Sequence, residues 1–303
     1  MTAAARPLPP LACPRCGAPV AASRDGAACT RCSSSYPTKD GVLHLVAGGV
    51  GAPGFDPHYF PTLAAVEKEH YWFATRREVV RDVLRGAVPD LGRRALFDLG
   101  CGSGGQLQFL GESGVPLAGA CDVYPESLEI VRRRVDVPLV LVDEGRFPPL
   151  GPGHSLVSLF DVLEHIDDDA GTLRHLFSIL APGGILVLTV PAHPFLFDEM
   201  DVIAHHRRRY RRSELGEKLR AAGFEVRRLT HFMAPLVPLV ALRWLVRSLP
   251  FRRSATERRQ AELAVTPVLN ALMRAVLRLE RPLVRAGLLP FGSSLIAVAA
   301  RPR

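Results

Sequence analysis

A short apolar run that leads directly into a glycine-rich turn constrains the fold of this chain more than any other feature. Residues 95–99 read Ala-Leu-Phe-Asp-Leu, residues 100–105 read Gly-Cys-Gly-Ser-Gly-Gly, and an amphipathic stretch begins at Gln106. Glycine tolerates positive φ angles and leaves no side chain between the backbone and a ligand. The succession of strand, glycine turn and helix therefore predicts the first crossover of a nucleotide-binding α/β sheet.

The residues around this turn argue against a dinucleotide as its ligand. Asp98 stands directly before the glycines, where its charge would repel a pyrophosphate but would suit a cationic amino-acid group. The G-x-G-x-x-G spacing of dinucleotide folds is met only by Gly100, Gly102 and Gly105. We therefore expect a ligand other than NAD, with Asp98 close to a positive charge.

Acidic residues also follow the next two predicted strands. Residues 116–121 end at Asp122, which comes 24 residues after Asp98. A carboxylate at the end of a second strand can accept both hydroxyls of a ribose. Residues 139–142 end at Asp143, a position suited to an adenine amino group. Both acids are therefore expected to hold parts of a nucleoside.

Two further strands complete a recognisable set of motifs. The fourth strand, 155–160, leads into Asp-Val-Leu-Glu-His-Ile at 161–166, and the fifth, 185–190, follows a Pro-Gly-Gly turn. Together with the glycine turn, these motifs resemble class I S-adenosylmethionine-dependent methyltransferases over about residues 95–200. Within that class, the chain resembles bacterial methyltransferases of types 11 and 23, which act on small molecules and lipids.

The resemblance implies a fold and a cofactor. The fold is α/β, a Rossmann-like sheet of seven strands in the order 3-2-1-4-5-7-6, with helices on both faces and strand seven antiparallel. Strands six and seven would be residues 224–229 and 294–299. The cofactor would be S-adenosylmethionine, with the glycines at its methionine part. The residues implied to bind it are Asp98, Gly100, Cys101, Gly102, Gly104, Asp122, Val123, Asp143, Glu144, Asp161 and Leu163.

Four of the six cysteines form two C-x2-C pairs, which are separated by twelve residues. Four thiolates in this spacing predict a tetrahedral zinc site without an open position, and hence a structural rather than a catalytic metal. The segment at 35–45 resembles the end of small zinc ribbons that often precede methyltransferases. The predicted zinc ligands are Cys13, Cys16, Cys29 and Cys32.

These features divide the chain into a zinc ribbon at 1–46, a glycine-rich linker at 47–58 and a methyltransferase domain at 59–303. The first residues lack the long apolar run of a secretory signal, and no window holds 18 uninterrupted apolar residues. We therefore expect a cytoplasmic protein, with contact to the inner face of the membrane as a further possibility.

An oxygen nucleophile needs a base, and histidines near the strand ends are the candidates. His165 directly follows the fourth strand, where the family places the sulfonium, so it is the first candidate; a structural role is the alternative. Residues 69–76 and 201–210 resemble segments of bacterial methyltransferases of unassigned substrate and are expected to line the acceptor pocket. The other candidate catalytic residues lie in or near the second segment: His193, His206 and Tyr210.

Charge is distributed unevenly along the chain. Residues 1–200 hold 17 Lys and Arg against 23 Asp and Glu, whereas residues 201–303 hold 21 against 7. A basic C-terminal third favours an anionic partner for that part of the chain. The arginine run at 207–212 is predicted either to clamp an anion or to form a solvated helix entry.

A helical insertion at about 231–290 separates strands six and seven. It contains an apolar stretch at 233–249, followed by arginines at three- and four-residue intervals in a predicted helix at 268–285. This composition suits an interfacial helix, and we predict membrane-surface contact through 233–249 or a lid over a lipid-like acceptor. A lid packed on the sheet and a dimer interface are the alternatives, and the oligomeric state stays open.

The sequence therefore predicts O-methylation of a small acceptor that is apolar, isoprenoid- or quinone-like, or lipid-linked. An rRNA or tRNA methyltransferase with a zinc-ribbon RNA-binding module is the first alternative, but the sequence lacks the Asn/Asp-Pro-Pro-Tyr motif for base amines, so nucleic acid is the less favoured partner. The second alternative is a non-catalytic, cofactor-binding scaffold whose ribbon docks a partner protein.

Overall fold

Twelve strands of the described chain join edge to edge into one mixed sheet. The computed structural model describes residues 8–23, 25–47, 59–143, 150–238, 241 and 264–303. Its strands are β1 (Leu11–Ala12), β2 (Pro19–Ser23), β3 (Gly26–Cys29), β4 (Ser35–Lys39), β5 (Val42–Leu45), β6 (Leu96–Leu99), β7 (Leu117–Asp122), β8 (Leu139–Val142), β9 (His154–Phe160), β10 (Leu180–Pro191), β11 (Glu225–Phe232) and β12 (Ser294–Ala300). The helices within these residues are α1 (Tyr59–Val66), α2 (Tyr71–Ala87), α3 (Gly105–Glu112), α4 (Pro125–Arg132), α5 (Asp169–Ile179), α6 (Glu199–Ile203), α7 (Arg212–Ala221) and α8 (Pro267–Ala286).

The central part of this sheet contains the strands that the motifs predicted. Its neighbours run β8-β7-β6-β9-β10-β12-β11. Strands β6 to β10 pair in parallel, whereas β12 pairs antiparallel with both β10 and β11. The predicted sixth strand is longer than expected, because β11 continues to Phe232. The Pro-Gly-Gly turn interrupts the pairing of β10 with β9 between Leu180 and Ile185.

The prediction that the sheet has seven strands was wrong in its extent. Strand β5 pairs in parallel with β8, placing Leu43 opposite Val140, and β4 to β1 continue the sheet beyond it. The side chains of Val42, Leu43 and Leu45 are buried. An open edge strand exposes unpaired backbone groups, and β5 satisfies those groups on β8 while burying its own apolar residues.

Side chains that alternate along the strands build one core on each face of the sheet. Phe97 and Val157 belong to the first core, which α5 and α7 cover. Leu96 and Leu156 belong to the second, to which α2, α3, α4 and α8 contribute. Because helices cover both faces, the polar groups at the strand ends define where a ligand can bind.

Helix α8 packs against α2 through charged side chains. Arg281 donates hydrogen bonds to Asp82 and Glu78, with 3.0 Å from its Nε to Asp82 Oδ2. Arg274 lies 3.5 Å from Glu69, and Arg278 lies 3.7 Å from Glu78. These arginines were predicted to form a face toward an anionic surface, but the structure pairs them with acids of its own chain.

The apolar stretch predicted to meet a membrane begins inside the protein. Met233, Leu236 and Val237 are buried, so the described start of 233–249 faces the core rather than a bilayer; residues 239–240 and 242–249 lie outside the described residues. Among the helices that the structure describes, none combines the length and the apolar character needed to cross a membrane.

Candidate active site

The glycine turn lies between β6 and α3, at the carboxyl edge of the parallel strands. Gly100 has a φ angle of 69° and Gly102 one of 53°, both in the region that favours glycine. A Cβ atom on Gly100 would lie 2.6 Å from Cγ2 of Val162, whereas no atom lies within 4 Å of the same position on Gly102. The turn therefore touches the loop after β9 on one side and presents open backbone on the other, at the edge where such sheets bind ligands.

Asp98 lies below this turn, buried in β6. Its Oδ1 accepts a hydrogen bond of 2.6 Å from the hydroxyl of Ser158 on β9. Burial raises the pKa of Asp98 to about 7, although the bond from Ser158 and the charge of Arg76 oppose that rise. A cationic ligand group beside this carboxylate would stabilise its charged form. The position fits the amino-acid end of a ligand.

Asp122 ends β7 and is anchored by backbone groups. Its Oδ2 accepts the N–H of Gly102 at 2.8 Å, and its Oδ1 accepts those of Val123 and Tyr124 at 2.8 and 3.1 Å. Burial raises its pKa and these bonds lower it, with a net upward shift. A carboxylate has about four acceptor sites, so it can hold the glycine turn and still accept a ligand hydroxyl.

The remaining residues implied to bind the cofactor differ in their surroundings. Asp143 accepts the backbone N–H of Ala47 at 2.6 Å, which ties the segment after β5 to the end of β8. Glu144 lies outside the described residues. The remaining residues near the turn are either buried or half-buried, and their contact with a cofactor stays a prediction: Cys101, Gly104, Val123 and Leu163.

Asp161 forms an ion pair with the segment predicted to line the acceptor pocket. Its Oδ2 lies 2.6 Å from Nη2 of Arg76 on α2, and its Oδ1 accepts the hydroxyl of Thr189 at 3.0 Å. The guanidinium also lies 5.4 Å from the ring centre of Trp72 and 5.6 Å from that of Phe160. Arg76 is only 8% exposed, so α2 contributes a buried positive charge at the end of β9.

Glu67 contacts the glycine turn, and the sequence did not suggest it. Its carboxylate accepts the hydroxyl of Ser103 at 2.6 Å and forms an ion pair with Arg134. Phe60 of α1 lies against Tyr124, with ring centres 5.5 Å apart. The segment that includes α1 therefore lies over the strand ends that carry the turn and Asp122. No local motif marks such a contact between distant segments.

His206 and His165 form a pair beyond the end of β9. Their ring centres are 4.9 Å apart. Nδ1 of His206 lies 2.8 Å from Oδ1 of Asp201; a carboxylate only accepts, so Nδ1 carries a proton and donates this bond. Burial, with a smaller effect of His206, lowers the pKa of His165 to about 4. Two candidate bases are thus brought together at the end of β9.

Asp201 holds the imidazole of His206 in place. It is 1% exposed and accepts hydrogen bonds from Nε of Arg209 and from the backbone N–H of Asp198 as well as from His206. Burial would raise its pKa, but the bond from His206 and the charge of Arg209 bring it below the usual value. The carboxylate stays charged and orients the imidazole, as in other histidine–carboxylate pairs.

Tyr210 lies apart from the histidine pair, in the core. It is fully buried, and its hydroxyl donates a hydrogen bond of 2.9 Å to Asp169, which also pairs with Lys218. Burial and the charge of Asp169 raise the pKa of Tyr210. A phenol in this setting holds its proton, so the geometry favours packing over proton transfer at this residue.

His193 belongs to a second group, with His231 and two phenylalanines. The imidazoles of His193 and His231 are stacked, with ring centres 5.0 Å apart, and Phe291 lies 4.3 Å from His193. His193 has a φ angle of 63°. Phe195 and Phe291 are 59% and 41% exposed. The group therefore offers an aromatic surface at the ends of β10 and β11, on the carboxyl side of the sheet.

The arginine run at 207–212 is partly neutralised by acids of the same chain. Arg207 lies 3.0 Å from Asp167, Arg208 lies 3.4 Å from Asp169, and Arg209 pairs with buried Asp201. Neither prediction for this run, an anion clamp or a solvated helix entry, describes these three residues. Arg207 and Arg208 hold the loop before α7 against the segment after β9, and Arg209 holds it against α6; together these pairs position the two histidines.

The four N-terminal cysteines converge on one point. Their sulfur atoms all lie within 4.8 Å of one another. Cys13 and Cys32 are 3.6 Å apart and Cys16 and Cys29 are 3.5 Å apart, close to the spacing of about 3.8 Å across a tetrahedron with Zn–S bonds of about 2.3 Å. The sulfur of Cys29 also accepts backbone N–H groups. The donor set and its spacing fit a tetrahedral metal.

Comparison with known proteins agrees with this reading of the fold. A model of the methyltransferase domain family matches residues 69–229, more than half of the chain. A probable S-adenosylmethionine-dependent methyltransferase of Mycolicibacterium smegmatis is 31% identical over 170 residues, covering 54% of this chain and 63% of that protein. The ubiquinone biosynthesis O-methyltransferase of Marinobacter nauticus is 32% identical over 164 residues, covering 46% and 66%. The chain thus spans less than two thirds of either relative.

Solved structures show the same fold. The cyclase SpnF has a TM-score of 0.52 and 19% sequence identity to this chain, and the match covers 84% of this chain and 99% of that one. At this identity the likeness concerns the fold alone. The activity has to be argued from the site.

Proposed function

This chain belongs to the methyltransferase domain family, and on that premise we propose that it transfers the methyl group of S-adenosylmethionine to an oxygen atom of a small apolar acceptor. The observation that carries the proposal is the pairing of His206 with Asp201 at 2.8 Å, beside His165. His165 follows Val162 by three residues, and Val162 contacts the glycine turn. An imidazole that can accept the proton of a hydroxyl group therefore lies next to the predicted cofactor site.

The residues around the turn fit the cofactor in charge and shape. S-adenosylmethionine supplies a methyl carbon activated by a positive sulfur, and it carries an ammonium group and a ribose. Buried Asp98 matches the ammonium group, and Asp122 at the end of the second strand of the family fold matches the ribose hydroxyls. The bare backbone of the turn leaves space for the ligand to approach.

The raised pKa of Asp98 predicts how the stability of the protein changes with pH, and this change tests the assignment of Asp98 to the ammonium group. The folded value of about 7 exceeds the ordinary value of 3.8, so the buried charge costs stability at high pH and costs little at low pH. We expect Asp98→Asn to raise the free energy of unfolding by roughly 1–3 kcal/mol at pH 8 but hardly at pH 3, below the ordinary pKa of the carboxyl. Its affinity for S-adenosylmethionine at pH 8 should fall about 10- to 100-fold. Urea unfolding and calorimetry at both pH values check this, and unchanged affinity would contradict the assignment.

Methyl transfer to an oxygen atom requires few chemical steps of the protein's own residues. The carbon–sulfur bond breaks as the carbon–oxygen bond forms, and the acceptor oxygen must lose its proton. Catalysis then depends on aligning the oxygen with the methyl carbon and on excluding water. We propose that the oxygen is activated beside the His165–His206 pair, which Asp201 and Arg209 hold in place.

The exposed aromatic surface supports an apolar acceptor. Phe195 and Phe291 flank the stacked pair of His193 and His231 at the same edge of the sheet. Aromatic rings of this kind pack well against flat or isoprenoid groups. This agrees with the quinone-like or lipid-linked acceptors that the sequence predicted.

The exposed side of helix α8 supports the proposal that the acceptor is taken from a membrane surface. Five large apolar residues of this helix are exposed, of which Val268 and Leu279 are the most exposed at 80% and 79%. Four of the five, at 268, 272, 279 and 283, lie on one stripe of the helix. Such a stripe on a chain with a basic C-terminal third suits an anionic lipid surface.

We also propose that the cysteine group holds structural zinc. Replacing Cys16 and Cys29 together by serine should abolish zinc binding there and lower the thermal midpoint by about 5–10 °C, for a loss of about 2–3 kcal/mol. The effect should extend beyond the ribbon, because β5 pairs with β8. Elemental analysis and thermal unfolding measure both. Cys121→Ala, outside the cluster, should leave the zinc content unchanged, and equal zinc in the double variant would overturn the assignment.

Transfer of a labelled methyl group tests the proposed acceptor class. The full chain is incubated with methyl-labelled S-adenosylmethionine and a bacterial lipid extract, with total tRNA and rRNA, or with neither. We expect label only in small molecules of the lipid extract. Label only in RNA would favour the RNA methyltransferase instead. Cofactor binding without transfer in any mixture would favour a non-catalytic scaffold.

A further inference from the structure

The histidine pair borders the carboxylate of Glu164, to which the proposed methyl transfer assigns no role. Glu164 is fully buried, and neither of its oxygens accepts a hydrogen bond from the residues that the structure describes. Burying such a group without a partner costs several kcal/mol. A group this costly in this position calls for a ligand that compensates it.

The two imidazoles face the same point as this carboxylate. Nε2 of His206 lies 3.8 Å from Oε1 of Glu164. Nδ1 of His165 is 3.2 Å from the carbonyl oxygen of His205, which leaves its Nε2 to bind a ligand. One donor atom from each of Glu164, His165 and His206 lies within 4.8 Å of the others. Three donors at this spacing surround a volume of the size that a bound ion occupies.

We propose that Glu164, His165 and His206 bind a divalent transition-metal ion. Two imidazoles and one carboxylate form a donor set that zinc and ferrous iron take in proteins, with positions left open for other ligands. The ion would replace the missing partner of Glu164 and hold that carboxylate in its charged form.

The surroundings of the cluster are those of a metal site. A metal-binding histidine commonly donates its second N–H to a carboxylate, which fixes its tautomer and orientation. His206 does so to Asp201, and Asp201 is held in turn by Arg209. His165 contacts a backbone carbonyl with its other nitrogen. Both imidazoles are therefore oriented before an ion arrives.

The role of the ion rests on the proposed function, whereas its binding does not. An ion at this cluster would take the acceptor oxygen as a further ligand and lower the pKa of its hydroxyl, so that the proton leaves to water. The histidines would then act as ligands that activate the oxygen through the ion. Acceptors with two adjacent oxygens would bind best, because both oxygens can reach the open positions.

Zinc content tests the site on the full chain. Wild type, Glu164→Gln and His205→Asn are dialysed against micromolar zinc chloride and analysed for zinc per chain, and the affinity is measured with a chromophoric chelator. We expect Glu164→Gln to hold one zinc fewer than wild type, or to bind it at least 10-fold more weakly. His205→Asn should equal wild type, because His205 is exposed and only its carbonyl oxygen contacts the cluster. Asparagine also tolerates the positive φ angle of 60° at this position.

Two further measurements separate this inference from neighbouring ones. The Cys16→Ser/Cys29→Ser chain removes the ribbon metal, so the zinc that it retains reports the Glu164 cluster alone. Calorimetry with S-adenosylmethionine on the same samples shows whether Glu164→Gln is folded like wild type, and failure of wild type itself to bind the cofactor would count against the proposed function rather than the metal site. Equal zinc content and affinity in Glu164→Gln and wild type would overturn the metal site.

Discussion

Gly100→Ala is expected to weaken the binding of S-adenosylmethionine by about 100-fold, equivalent to about 2.8 kcal/mol. The new Cβ would lie 2.6 Å from Val162 Cγ2, and the residue would keep a φ angle of 69°. Alanine in this conformation is strained by roughly 1–2 kcal/mol. Relief of the clash moves either the turn or the loop before His165, and both border the ligand. Calorimetric titration with the cofactor measures the effect.

Gly114→Ala is the matched control for this substitution. Gly114 has a φ angle of 86°, and no atom lies within 4 Å of its Cβ position. It therefore carries the same backbone strain, but it follows α3, away from the turn. We expect a small loss of stability and an unchanged cofactor affinity. If Gly100→Ala bound the cofactor as tightly as Gly114→Ala, the turn would not be the binding site.

His206→Ala is expected to lower kcat/KM by a factor of about 100 to 10,000, the range typical for removing an activating histidine. Asp201 and Arg209 fix this ring and His165 lies beside it, so its loss affects the activation of the acceptor oxygen. The affinity for S-adenosylmethionine should change less than about twofold, because Asp98 and Asp122 lie on other strands.

The experiment compares steady-state rates with the acceptor found by label transfer. His205→Asn serves as the control, since it removes a neighbouring imidazole whose ring is outside the cluster, and we expect wild-type rates from it. A His206→Ala enzyme with the wild-type kcat/KM would remove the histidine pair from the mechanism. Equal losses in both variants would point to a general distortion of the loop instead.

The sequence predicted the parts of the site that depend on local patterns. The positive φ angles of Gly100 and Gly102, the burial of Asp98 and the position of Asp122 all follow from a strand that meets a glycine turn. The convergence of the four cysteines was predicted in the same way, because two C-x2-C pairs can bring four sulfur atoms to one point. In these cases neighbouring residues in the chain determine the structure.

The rest depends on contacts between distant segments. Glu67 meets Ser103 and Arg134, and the arginines of α8 meet the acids of α2, yet neither contact leaves a periodic pattern in the sequence. The addition of β5 to the sheet is of the same kind. Tyr210 illustrates the converse problem: a polar residue in a segment that resembles other methyltransferases was predicted to act in catalysis, but its hydroxyl donates a hydrogen bond to buried Asp169.

The fold alone does not determine the reaction. A solved structure with a TM-score of 0.52 to this chain is a cyclase, so methyl transfer has to be supported by the carboxylates at the turn and the activating group beyond β9. These residues come from β6, β7, the segment after β9 and the loop before α7. The proposed methyl transfer therefore depends on how these four segments meet at one edge of the sheet.

The central claim is that the methyl group ends on an oxygen of a small molecule. The most direct measurement uses methyl-13C-labelled S-adenosylmethionine with the full chain and a lipid extract, followed by carbon NMR of the extracted products. We predict one new signal at the chemical shift of a methoxy carbon, absent with Gly100→Ala. A labelled methyl group bonded to nitrogen or carbon, or found only in RNA, would contradict the account.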